Sequence, residues 1–512
     1  MLNDTADVRV EASTDFPTQQ IPDDVPNSNL KARTASGALA STLSQTIAFC
    51  LRLGSMMVLA RLLLKEDFGL VNMVTPFTGF LSLFRDAGLS MATVQRRTLT
   101  RDQASTLFWI NVGFGLMLWL GIALASPFIA EFYKEPRLSL ATIVLGSTFL
   151  FNGISSQHRA MLSRQMRLAV LSVIDIVALV LSIAMGIGMA AIGSGYKALV
   201  AMTATQPAAA AIGLWLATGW LPGRPRRRIG VRSMLSYGGS VTLTNVIVYL
   251  AYNADKVLLG RFFGAEQLGV YGRAYQLITI PSDNLSQAMG AVAFPAMSRV
   301  HNEPERLRRY FISGYKLLLS LAVPTTASCA LFAHDIIRIF LGPDWREAAD
   351  IFRLLAPTVL ALALINPFGW LTLANGRPRL NLGISLIIAP VVFIAYLLGL
   401  RHGLTGVALA YSVAMFVLVA PVIVLSRHGT LITGRDVVRV IAPLLGATAI
   451  AATIVILGGS SLSRVTVPLL RLVVECALFF GVYILVLLFV LGDRSEYLDV
   501  LRSCGLWSRP SI

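Results

Sequence analysis

About fourteen apolar stretches of roughly 19 to 33 residues run through this chain, each long enough at ~1.5 Å per helical residue to cross a hydrocarbon layer ~30 Å thick. They lie near 39–62, 67–92, 104–129, 138–158, 168–192, 196–218, 234–259, 266–298, 311–333, 347–374, 380–399, 403–426, 440–458 and 466–491. The expected fold is an all-α integral membrane protein with about 14 transmembrane helices. A chain that is 55% hydrophobic and 14% charged has too little polar surface to cover a soluble globule.

Basic residues set the orientation. With the N-terminus inside, 26 of the 43 Lys and Arg fall in eight inner segments, 8 in seven outer ones and 9 within spans. Clusters such as Arg96, Arg97 and Arg101, or Arg224, Arg226, Arg227, Arg228 and Arg232, recur at every second connection, as the positive-inside rule requires. Both termini are therefore expected in the cytoplasm. The pattern also accounts for the net charge of +16 without a nucleic-acid partner. The charges are spread over short segments facing anionic headgroups, and they form no continuous basic face with interleaved aromatics.

Residues 1–36 hold six Asp and Glu residues, several prolines and no apolar core, so they read as a disordered inner tail rather than a signal peptide. Cys50, Cys329 and Cys476 lie within spans and Cys504 in the inner tail, which fits small buried hydrophobes better than a disulfide framework. The five histidines show no metal-ligand spacing, and no metal or other cofactor is expected beyond a coupling ion. Every connection is too short to fold as a catalytic domain, and no G-x-x-x-x-G-K-[ST] loop is present. The chain does not read as an enzyme.

One ungapped register aligns the chain with itself at an offset of 200 residues. Ala60-Arg61-Leu62-Leu63 and Glu66-Asp67-Phe68-Gly69-Leu70 lie over Gly260-Arg261-Phe262-Phe263 and Glu266-Gln267-Leu268-Gly269-Val270. Both copies form an outer turn, with Glu66 and Glu266 placed where a carboxylate favours the start of the next helix. Six spans separate them. An even number keeps the two halves in one orientation, a parallel repeat about an axis along the membrane normal. The resulting division is a tail over 1–36, a six-helix lobe over 37–218, a basic cytoplasmic linker over 219–233, a second six-helix lobe over 234–427, two additional helices within 438–491 and a cytoplasmic tail over 492–512.

With this architecture, three short runs resemble the polysaccharide flippase family of the multidrug, oligosaccharidyl-lipid and polysaccharide exporter superfamily over about residues 35–492. They are the first-hairpin stretch from Ala60 to Gly69, Arg85-Asp86-Ala87-Gly88-Leu89 closing the second span, and Phe294-Pro295-Ala296-Met297-Ser298-Arg299 closing the eighth. The resemblance implies export of lipid-linked oligosaccharide across the bacterial inner membrane, through a cavity between the lobes that faces inward and then outward. Membrane lipids, a polymerase and other polysaccharide-assembly proteins are the implied partners.

Ionisable side chains deep in a membrane cost on the order of 2.5–3.5 kcal/mol and face a partner or a polar cavity. Arg52 sits near the centre of span 1, beyond easy snorkelling. An anionic diphosphate headgroup calls for such donors, and the planar guanidinium fork suits phosphate oxygens. Arg52, Arg85, Lys256 and Arg273 are the candidate headgroup-binding residues. For Arg85, Lys256 and Arg273, snorkelling toward a membrane surface is the alternative. Asp255 and Asp283 are candidates for a coupling proton or sodium ion, with a plain ion pair to Lys256 or Arg273 as the alternative. Pro281 and Pro76 mark spans 8 and 2 as candidate bending elements. A small-cation antiporter of the same superfamily would favour a carboxylate-rich, cation-poor cavity. A membrane glycan polymerase would show a long outer loop bearing catalytic groups. A purely structural scaffold leaves the mid-membrane charges without a role.

Overall fold

The computed structural model describes residues 30–85, 100–225, 239–462 and 467–490. The architecture is all-α. In chain order the helices are α1 Leu30–Leu62, α2 Lys65–Arg85, α3 Arg101–Tyr133, α4 Arg137–Arg164, α5 Leu168–Ala191, α6 Tyr196–Thr218, α7 Gly239–Arg299, α8 Pro304–Leu331, α9 Ala333–Phe340, α10 Arg346–Ala374, α11 Pro378–Gly399, α12 Gly403–Arg427, α13 Gly434–Leu462 and α14 Pro468–Leu485. α7 is two helices joined at Gly264, whose φ of 81° and ψ of −176° are open to glycine and costly for any other residue. Its limbs, 239–263 and 265–299, fall on spans 7 and 8.

Nine segments among the described residues are long and apolar enough to cross a membrane, or ten if α8 and α9, bent by 80°, are one span. One of the nine, Pro378–Arg427, contains both α11 and α12. The other expected spans are α2 and the two limbs of α7, whose interiors carry the charged and small polar residues of the seam described below. A reporter fused after Gly459, in the last turn of α13, is expected on the outer side; activity only in the cytoplasm would overturn the fourteen-span order.

Local signals explain several helix ends. Thr100 and Gln103 form a reciprocal capping box at the start of α3, and Lys134 closes that helix in a left-handed conformation. At the α1–α2 turn Asp67, buried, accepts from the Leu64 amide at 3.0 Å. Glu66 lies in the first turn of α2, as expected, and also reaches Arg137 at the start of α4. Two expectations shift. α1 begins at Leu30, so residues 30–36 are helical rather than tail. The outer connection 333–346 contains the helix α9. Asp86, most of the basic linker and the C-terminal tail lie outside the described residues.

The repeat seen at an offset of 200 residues has a direct counterpart in packing. A Cβ on Gly69 would run into the backbone oxygen of Ala265, and a Cβ on Gly269 would run into that of Lys65. Residue 69 meets 265 and residue 269 meets 65. Such reciprocal contacts are what a two-fold axis produces, here between helices of one chain. Asn72 packs against Gly272 on the same axis. Lipid tails are as apolar as the helices, so close approach at small residues, rather than escape from water, is what joins the lobes here.

One hydrophobic core runs through both lobes on the outer side and includes Leu59, Phe68, Leu138, Tyr271, Trp345 and Tyr411. A second core lies under α8, α10, α13 and α14, around Phe311, Phe368, Leu444 and Phe479. It seats the additional helix pair on the second lobe.

Candidate functional site

The seam between the lobes is closed at its outer end by contacts from both sides. Trp345, just beyond α9, donates its indole N–H to the Ala60 carbonyl at 3.0 Å and packs edge-on against Phe68. Arg61 donates to the Ile339 carbonyl in α9 at 2.8 Å, and Lys65 lies 3.5 Å from Glu347. The Arg261 guanidinium sits over the Phe132 ring. α9 and Trp345 thus form a strap from the second lobe across the α1–α2 corner of the first. A short amphipathic helix inside a loop gives no spanning signal, which is why hydropathy did not show it. Between α3 and α4, Arg137 bonds Glu135 at 2.7 Å and holds that carboxyl below the usual carboxylate range.

Toward the inner side α1 is less buried. On α1, Ser55, Met56, Leu59 and Ala60 are buried. Arg52 lies one turn inward in the same helical register as Ser55, Met56 and Leu59, yet it is exposed and forms no ion pair among the described residues. Arg85, the last described residue of α2, is also exposed, about 30 Å below the outer turn by helical rise.

The other candidates lie in the outer half of the seam. The Arg273 guanidinium stacks 3.9 Å from the Phe68 ring centroid, across the lobe boundary, and donates to Gln276. Its Nε is buried without a hydrogen-bond partner. Lys256 donates from Nζ to Asn253 Oδ1 at 2.9 Å and lies over the Tyr275 ring. The four cations therefore do not converge on one point: Arg52 and Arg85 are exposed in the inner halves of α1 and α2, and Lys256 and Arg273 sit under the outer closure.

Asp255 is fully buried. It accepts from the Tyr271 hydroxyl at 3.0 Å and the Lys256 amide at 2.7 Å, and makes no ion pair with Lys256 or Arg273. The buried Tyr271, Tyr396 and Tyr411 come from three helices, so distance along the chain hides this aromatic surround from sequence inspection. Asp283 is exposed on the second limb of α7, and the structure does not bring it to Asp255. Several other intramembrane charges are paired. Arg159 holds Asp175 with bonds of 2.9 and 2.5 Å, and Arg471 binds Glu475 at 2.8 Å and lies 3.5 Å from Asp335.

Residues 58–350 match the family described as "Polysaccharide biosynthesis protein". The chain belongs to this family. Among curated members, it is 30% identical over 392 residues to the teichuronic acid biosynthesis protein TuaB of Bacillus subtilis, covering 74% of this chain and 78% of that protein. It is 24% identical over 417 residues to the lipopolysaccharide biosynthesis protein WzxC of Escherichia coli, covering 77% and 82%. In fold, the family member described here is similar to the lipid II flippase MurJ in an inward closed conformation, with a TM-score of 0.70 at 13% identity over 91% of this chain and 100% of that one. It is also similar to an inward-facing multidrug MATE transporter of the MOP superfamily, with a TM-score of 0.59 at 16% identity over 76% and 97%. The matched region contains the outer seam, from the α1–α2 turn through Trp345.

Proposed function

We propose that this family member is a flippase that moves undecaprenyl-diphosphate-linked oligosaccharide units across the bacterial inner membrane, with both termini in the cytoplasm. The observation that carries the reading is the pair of two-fold-related lobes, sealed at the outer end by Gly69, Gly269 and Trp345 while Arg52 lies bare on the inward side. The names of TuaB and WzxC place them in cell-surface glycan biosynthesis, and MurJ is named a flippase, which supports the substrate class.

In this reading an anionic diphosphate enters from the inner side and meets the cations Arg52 and Arg85. Rocking of the lobes about the α2–α7 contact then opens the outer end, where Arg273 and Lys256 await the headgroup. Asp255 would carry a coupling proton or sodium ion, since it is a buried carboxylate without an ion-pair partner among the described residues. Asp283 is the second candidate.

The test uses purified chain in sealed vesicles holding a fluorescent lipid-linked oligosaccharide and an impermeant glycosidase outside. The lipid is expected to become accessible only in vesicles containing the protein. Unchanged accessibility, while a saccharide-free polyprenyl phosphate is equally unmoved, would remove the flippase reading.

A further inference from the structure

The two lobes differ at one outer connection. The first joins α3 to α4 through residues 134–136 alone, whereas the second uses residues 332–345 between α8 and α10 and folds them into α9 and the turn bearing Trp345. The longer connection crosses to the other lobe. At its far end Arg61 of α1 donates to the Ile339 carbonyl at 2.8 Å and to its own Met57 carbonyl at 2.6 Å, so the guanidinium ties α9 to the first lobe. The near end leaves α8 at an angle of 80°. A helix of eight residues has little stability of its own, so its place across the lobe boundary depends on what holds each end.

The near end is held by α14. Arg471, the fourth residue of α14, lies 3.5 Å from Asp335 in the first turn of α9 and bonds Glu475 at 2.8 Å one turn along its own helix. The Asp335 and Glu475 side chains are 17% and 6% exposed, so these contacts are partly shielded from water. At the bend itself Phe332 meets Phe479 of α14 edge-on, with ring centroids 6.2 Å apart. Below it Tyr483 of α14 donates to the Ser320 carbonyl of α8 at 2.9 Å. α14 therefore touches both limbs of the bend. Ile336 of α9 packs against both hydrophobic cores, the one shared by the lobes and the one under α13 and α14. Through α9 the additional helix pair is joined to the outer closure.

We propose that Arg471 is a positioning residue for the outer closure: through Asp335 it fixes α9 to α14, and the additional helix pair thereby sets how firmly the strap holds the first lobe. The bonds at the other end are single contacts to backbone carbonyls, from Arg61 to Ile339 and from Trp345 to Ala60. They form only while α9 keeps its place. Releasing Asp335 lets α9 shift, and the balance between the closed and the parted outer end moves toward the parted one. This inference rests on the alternating closure of the flippase reading, and it gives α13 and α14 a part in that cycle.

The experiment follows a thiol at the outer seam in right-side-out vesicles. In a chain whose native cysteines are replaced by serine, Ala60→Cys puts the thiol under the strap, where Ala60 is buried, and an impermeant maleimide is added outside. That thiol should react slowly. Asp335→Asn breaks the contact to α9 and leaves Arg471 with Glu475; it should speed the reaction about fivefold, equivalent to about 1 kcal/mol. Arg471→Gln should do the same. The two together should do no more than either, since both cut one contact. Arg471→Lys keeps a cation beside Asp335 and should retain most of the slow rate. Glu475→Gln spares the contact to α9 and should change the rate less than about twofold.

An unchanged rate with Asp335→Asn would overturn the proposal. Equal acceleration by Glu475→Gln would overturn it too, because it would mark a loosened α14 rather than a positioned α9. Ala198→Cys, buried at the outer end of α6, checks the fold and should stay unreactive in every variant. Reaction there as well would mean general loosening and would remove the positioning role. The readout needs no transport, so a seam that loosens on Asp335→Asn in a chain that moves no glycan would keep the brace and lose the flippase reading. An unaltered seam in a chain that exports glycan would do the reverse.

Discussion

Gly69→Leu is expected to reduce glycan export by at least about tenfold while the chain still inserts. At this position even a first side-chain carbon would overlap the backbone oxygen of Ala265, and backbone on both sides leaves little to yield. Overpacking of this kind costs about 1–3 kcal/mol, and here the cost falls on the state in which the outer end is closed. Gly269→Leu should reproduce the defect, because its Cβ meets Lys65 in the same contact viewed from the other lobe. The two substitutions together should cost less than their sum, since either one already prevents the close approach. The check is a complementation assay for surface glycan alongside membrane blotting. Full export by Gly69→Leu would remove the glycine crossing from the transport cycle.

Arg52→Ala carries the second large effect. The side chain is exposed on the inward part of a face that is buried further out, and it forms no ion pair among the described residues. Its removal should leave protein abundance unchanged. A charged hydrogen bond to the headgroup is worth about 1.5–3 kcal/mol, so export should fall roughly ten- to a hundredfold. Arg52→Lys should recover part of the loss, because an ammonium replaces a planar fork with a point charge. A structural ion pair would behave differently: alanine would strand a carboxylate, lower abundance and be rescued by neutralising the partner. Normal export with Arg52→Ala at normal abundance would take Arg52 out of the site.

Much of this architecture is legible in the amino-acid order because the bilayer imposes one length and one polarity on every span. The described helices follow the apolar stretches closely, from α3 over 104–129 to α12 over 403–426. The repeat was readable because Gly69 and its partner Gly269 sit on the axis, where both copies meet the same constraint. Depth alone marks Arg52 as a candidate. Three features were not readable. α9 is too short to give a spanning signal, and its partner Arg61 lies far away in the chain. The tyrosines near Asp255 come from separate helices and meet only after packing. Arg273 matched the expectation of an intramembrane cation, but nothing in its neighbourhood along the chain points to Phe68 as its partner.

The central claim is that substrate leaves only when the outer end of the seam parts. Asn72 and Gly272 face each other across it, with Asn72 Cγ 3.1 Å from where a Cβ on Gly272 would sit, a spacing that suits a disulfide. In a chain whose native cysteines are replaced by serine, Asn72→Cys with Gly272→Cys should stop vesicle export on oxidation and restore it on reduction, whereas each single cysteine should show no redox dependence. Export that continues with the crosslink fully formed would contradict the account.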